Sequence, residues 1–194
     1  EYRSLSAEYD YASEVRFAAG YPWPDSPAQV VVRAEDPEPS GEHVAGYSSS
    51  RVRVTERMAA EAGLRWDEQT YGNDSDDQWG PRLNLAYAAS DATRLRASWG
   101  RYQQFQGINE LQVEDGVTEF LPAQIADHWI ISVEHDLGTG FGLRVEAYRK
   151  DYDSLKPRHE SLFDPLSLVP ELRWDRVRIA PDSARAEGIE TLLT

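Results

Sequence analysis

The sequence predicts an all-β fold, an antiparallel up-and-down transmembrane β-barrel of which about eight strands are present. Three observations carry this reading. Five successive runs alternate apolar and polar side chains with period two. The connections between runs alternate strictly between short and long. Six Trp and ten Tyr outnumber five Phe, so the aromatic content is weighted toward rings that are apolar at one end and polar at the other.

Taken in chain order, the first run, residues 57–67, places Met58, Ala60, Ala62, Leu64 and Trp66 on one face and Glu61, Arg65 and Asp67 on the other. In residues 81–87, Leu83, Leu85 and Tyr87 oppose Arg82 and Asn84. Leu95, Ala97 and Trp99 then oppose Arg94, Arg96 and Ser98. Trp129, Ile131 and Val133 oppose His128, Ile130, Ser132 and Glu134, and Phe141, Leu143, Val145 and Ala147 oppose Arg144, Glu146, Tyr148 and Lys150. Weaker runs flank these at residues 2–17, 47–54 and 184–193, the last interrupted by Gly188.

Short connections fall at residues 55–57, 89–93 and 136–140, and long ones at 18–46, 68–81, 102–126 and 153–183. Four loops of that length are foreign to a compact soluble domain. They are natural where one rim carries tight turns and the other long loops. With residues 55–57 as a periplasmic turn, Trp66, Trp99 and Trp129 lie near the long-loop ends of their strands and Tyr87 and Phe141 near the short-turn ends, as two membrane-interface girdles. The polar faces supply lumen candidates of mixed sign: Arg65, Asn84, Arg94, Arg96, Glu134, Arg144 and Glu146. Leu64, Leu85, Leu95, Val133 and Val145 are the matching lipid-facing candidates.

Charge and composition exclude several classes. Twenty basic against 34 acidic residues give a net charge of −14, which repels nucleic acid. Without cysteine there is no disulfide, thiolate metal site or cysteine nucleophile. The longest apolar run, Leu85 to Ala89, is far short of the roughly 20 residues of a membrane-spanning helix. The opening residues carry no signal-peptide pattern and already read as a strand, so the chain reads as a piece of a longer protein.

No catalytic residues, metal ligands or cofactor are predicted. His43, His128, His135 and His159 have no metal spacing, and His128 and His135, seven apart on a strand, face opposite ways. No G-x-S-x-G elbow exists, and the glycines of residues 138–142 suit a tight turn. Asp74, Asp76 and Asp77 offer hard oxygen ligands for calcium but lack the glycine and bidentate Glu of an EF-hand loop, so a solvated charged loop is the plainer reading. Glu114, Asp115 and Glu119 raise a paired-carboxylate reading with nothing to fix their separation. Tyr71, Trp79, Phe105, Phe120 and Phe163 are possible loop ligand contacts, although packing of loop on loop explains them more simply.

The ordered succession AGLRWD, PRLNLAY, RLRASWGRY, ADHWIISVEHDL, EAYRKDY and ARAEGIE resembles the β-barrel of a TonB-dependent outer-membrane receptor, well over residues 47–194 and weakly before. No single motif is diagnostic. The resemblance implies a plugged barrel of about 22 strands that captures a scarce ligand outside the cell and admits it with energy delivered through TonB. It implies outer-membrane lipid as a partner, with a plug domain and TonB as partners of the complete protein, in the outer membrane of a Gram-negative bacterium. Set against that pattern, the plug, the TonB-contacting segment and the terminal strands are missing, so residues 1–194 are expected to be a barrel fragment that cannot transport alone. Siderophore, vitamin, sugar and peptide receptors share this grammar, which leaves the ligand open. The alternative from another class is a soluble β-sandwich that binds glycans or another ligand through one face. The two differ in whether the apolar faces form an outward band or a closed core.

Overall fold

A computed structural model describes residues 1–20, 25–72, 76–161 and 176–194. Twelve strands are present among them: β1 (Tyr2–Ser6), β2 (Tyr11–Phe17), β3 (Gln29–Glu35), β4 (Ser40–Thr55), β5 (Met58–Gln69), β6 (Asp76–Ala88), β7 (Thr93–Gln104), β8 (Gln124–Gly138), β9 (Phe141–Asp153), β10 (Arg158–Ser161), β11 (Arg176–Ile179) and β12 (Ser183–Leu193). Eight form one open antiparallel sheet in the order β1-β4-β5-β6-β7-β8-β9-β12. The hairpins β2-β3 and β10-β11 stand apart from it inside two of the long connections.

The five alternating runs become β5 to β9 in uninterrupted sequence-neighbour pairing. Because antiparallel hairpins preserve parity, the register keeps like faces together. Leu95, Val133 and Val145 form one outer row, and Arg96, Ser132 and Glu146 the adjacent inner row. At Gly188, which interrupts β12, the Tyr148 ring lies where a side chain would be: an added Cβ would stand 2.7 Å from the phenol oxygen.

Three expectations are corrected. The run at residues 2–17 is not one strand, since β1 ends at Ser6 and residues 11–17 belong to the separate hairpin. Pro37 and Pro39 accept bonds from Tyr9 and Ala7 through their carbonyls but have no N–H to return, so the regular ladder stops there. The connection at 18–46 contains β3 and the first part of β4. Residues 68–81 are not a long loop: Trp66 opposes Trp79 and Gln69 opposes Asp76, leaving only 70–75 between the strands. The stretch hid because its residues are polar on both faces. Pro81 fits because β7 pairs β6 only from Arg82 onward, so its missing N–H falls where that ladder ends.

Among the described residues the apolar face of the sheet is uncovered. Leu83, Trp129 and Ile131 are 52%, 54% and 64% exposed. The buried apolar residues are Ala45, Ile108, Leu111, Val113 and Ala123, all at the long-loop end. A sandwich would put its core between two sheets. Here the core sits under loops at one rim.

Candidate functional site

The inner face is a ladder of polar rows. Arg94 and Arg96 reach Glu134 at 3.6 and 3.1 Å, Arg144 pairs with Glu146 along its strand, and Arg51 meets Glu61 at 3.1 Å across β4 and β5. Arg65 grips Asp67 through two bonds of 2.6 Å. The candidates Arg65, Asn84, Arg94, Arg96, Glu134, Arg144 and Glu146 thus share one face of one sheet, most of them neutralised by neighbours. Such pairs are worth little each at this exposure.

The outer face runs from apolar to charged along every central strand. Trp99 stacks on Trp129 with centroids 5.7 Å apart, and the next outer row toward the loops is Arg101, bonded to Asp127 at 2.7 and 3.0 Å. On β9 and β12 that level holds Asp151 and Arg185, and Asp151 accepts from Arg185 and from Arg149, which stands opposite Trp129 in the row below. Trp66 pairs with Trp79 at 6.3 Å. Toward the turns the same face shows Tyr87 and Phe141, 42% and 55% exposed. From Trp129 to Leu137 the outward positions span eight residue steps. At about 3.3 Å per residue and about 40° of tilt this is a band roughly 20 Å high, close to the roughly 25 Å of a membrane barrel.

The long loops pack together at the other end. Gln106, almost fully buried, donates from Nε2 to the Glu110 carbonyl (2.7 Å) and accepts from the Leu121 amide (3.0 Å), while its own carbonyl accepts from the Tyr71 hydroxyl (2.8 Å). The Tyr9 hydroxyl donates to the Ile108 carbonyl and accepts from the Leu111 amide. Arg33 of β3 donates to the Glu114 carbonyl. Asp115 receives Arg176 at 2.7 Å and lies 3.4 Å from Nδ1 of His159, all three side chains under 10% exposed. Lys156 bonds Glu110 at 2.7 Å, and this together with the Gly107 amide holds the Glu110 carboxyl below its usual range. Burial, with the Glu110 charge nearby, pushes the Tyr71 phenol up.

Of the loop aromatics, Tyr71 packs edge-on against Phe120 at 5.1 Å and Phe105 lies edge-on to His43 of β4 at 6.1 Å. Trp79 is corrected from loop to strand. Phe163 and Asp74 lie outside the described residues, and among those described no cluster of His, Cys, Asp and Glu is arranged to hold a metal. Asp115 is committed to Arg176 and His159, which removes it from a carboxylate pair. The sequence did not single out Gln106 or Tyr9. No local pattern marks a buried glutamine or a tyrosine that bonds 99 residues away.

No curated protein matches the sequence. The family described as TonB dependent receptor-like, beta-barrel matches residues 2–191, nearly the whole chain. That match joins the open antiparallel sheet, the alternation of tight turns and long connections, and the uncovered apolar face, and the chain belongs to the TonB-dependent receptor β-barrel family.

Proposed function

We propose that residues 1–194 are a section of the wall of an outer-membrane receptor that admits a scarce ligand through a plugged barrel, with TonB supplying the energy to the complete protein. The observation that carries this is the uncovered apolar face, bounded by Trp99 and Trp129 and then by ion pairs on the same face. In water such a face costs about 25 cal/mol for each Å² left exposed, and lipid removes that cost. The fragment reading is supported by the sheet's edges: β1 pairs β4 only at residues 40–44, and β12 has one neighbour. Open edges of this length need further strands, and a lipid-embedded sheet has no water to satisfy them. On this reading transport, the plug and the ligand belong to a longer chain, and the isolated segment requires detergent.

Single-cysteine variants test the faces in the receptor held in outer membranes. A lipid-phase probe is expected to mark Leu95→Cys and Val133→Cys, and a water-soluble thiol reagent Arg96→Cys and Glu134→Cys. Equal aqueous labelling of all four would return the soluble sandwich in its place.

A further inference from the structure

One inner row differs from the others. Directly opposed residues from β4 to β12 are Ser49, Gly63, Arg82, Gly100, His128, Lys150 and Ala186. Four of these have little or no side chain. The three that project are all basic or imidazole, and the row contains no carboxylate. The row on its turn side has one acid, Glu61, already held by Arg51, and the row on its loop side carries Tyr47, Tyr102 and Tyr152.

Most inner-face arginines of the central sheet meet a carboxylate, whereas among the described residues Arg82 and Lys150 meet none. Each is positioned by a ring instead. The Arg82 guanidinium lies 4.7 Å from the centroid of Tyr102, and Lys150 Nζ lies 5.3 Å from that of Tyr148. A cation over a π face is oriented without being neutralised. Gly100 makes the first arrangement possible, since a Cβ there would stand 3.1 Å from the Tyr102 ring and 3.3 Å from Arg82. Tyr102 also stacks on His128 at 4.6 Å, fixing the imidazole between the two cations. An open depression of about 470 Å³ adjoins Arg82 and Tyr102 on this face.

We propose that this row is a binding site for an elongated ligand carrying at least two anionic groups, one seated at Arg82 and another at Lys150, with the tyrosine row against its body. Three strand spacings of about 4.8 Å put the two anchor backbones about 14 Å apart, and their side chains can lean toward one another, so a chain of a few condensed phosphates or carboxylates fits and a lone monoanion engages only one end. In a chain of net charge −14, two orienting cations without acids are a local reversal of sign. The proposal rests on the reading that this face lines the lumen.

The test uses the receptor purified in detergent from outer membranes, with tripolyphosphate as the elongated probe, orthophosphate as the short one and maltotriose as an uncharged one, followed by titration calorimetry. Tripolyphosphate is expected to bind saturably one to one and at least about tenfold tighter than orthophosphate. Arg82→Gln and Lys150→Gln are each expected to weaken it about tenfold, and Arg96→Gln, an ion-paired inner-face control, by less than twofold. Heat-modifiable gel mobility checks that each variant is folded. If wild type binds no tripolyphosphate saturably, if maltotriose binds as well, or if Arg96→Gln loses as much as Lys150→Gln, the row is not an anion site. Aqueous labelling of Ser98→Cys separates the two failures. Labelling with no anion binding sinks the row alone, and protection of that position sinks the lumen assignment beneath it.

Discussion

The middle of the sheet and the loop rim are built on opposite principles. At the rim the chain does what a soluble protein does: Ile108, Leu111 and Val113 are buried, Gln106 has its polar atoms bonded, and a charged group, Asp115, is enclosed with its partners. In the sheet, β5 to β9 are joined by long backbone ladders and have almost no buried side chains, with Leu83, Trp129 and Ile131 more than half exposed. On the proposed reading the two regions have different solvents. Backbone hydrogen bonds hold the sheet, and its apolar face awaits a medium outside the chain. The rim carries its own core, as a region standing in water must.

Damage should therefore stay in the region where it is made, with consequences that depend on that region's solvent. The largest effect is expected at the rim. Asp115→Ala leaves Arg176 buried without a counter-charge, which costs about 3–5 kcal/mol where such a pair is broken. Hydrogen exchange should accelerate over residues 105–123 while β7 and β8 stay protected. Equal acceleration in the strands would mean that the regions are one cooperative unit.

Next comes the sheet. Val133→Arg is expected to cost about 2–4 kcal/mol near the bilayer midplane, read from urea unfolding of the receptor in lipid vesicles. Arg96→Gln, one residue position away in the opposed row, should cost below about 1 kcal/mol, because a wetted ion pair of this kind contributes little. Reversed magnitudes would exchange the two faces. At the rim, Gln106→Ala removes the acceptor of the Leu121 amide and is expected to cost about 1–3 kcal/mol. Proteolytic nicking between β7 and β8, with an unchanged unfolding midpoint of the sheet, is the measurement that checks it.

The smallest effect depends on pH. Lys156 and the Gly107 amide hold the Glu110 carboxyl below its usual range, so its contribution is complete above the ordinary carboxylate range and is lost as pH falls through the depressed value. Half-exposed as Glu110 is, the contribution stays below about 1 kcal/mol. Loop proteolysis is expected to rise only in acid, and Glu110→Gln should remove that rise. A rise between pH 6 and 8 would point to another group.

Legibility in the sequence follows from range. Leu95, Arg96, Val133 and Glu134 declare their faces because period two is imposed within one strand by the pleat. Trp79 reads as a loop residue because the hairpin of β5 and β6 continues into a stretch that is mostly polar, where alternation falls silent. Residues 11–17 read as part of the first strand because a two-stranded ribbon has the same local pattern as a sheet strand. His159 and Asp115 looked incidental, 44 positions apart with no periodicity to link them, until the folded loops brought them within 3.4 Å.

The all-β class, the five central strands, their two faces and the family are legible from residue order alone, since strand parity, turn chemistry and the order of motifs are all encoded within a few residues of one another. Which residues stand side by side across strands and loops emerges only when the chain is folded. The row of Arg82, His128 and Lys150 exists because three hairpin registers add up to align positions 82, 100, 128 and 150, and the buried cluster at the rim exists because loops far apart in sequence close over one another. Register and loop closure are set by the sum of many weak contacts over the whole chain, and no single segment contains them.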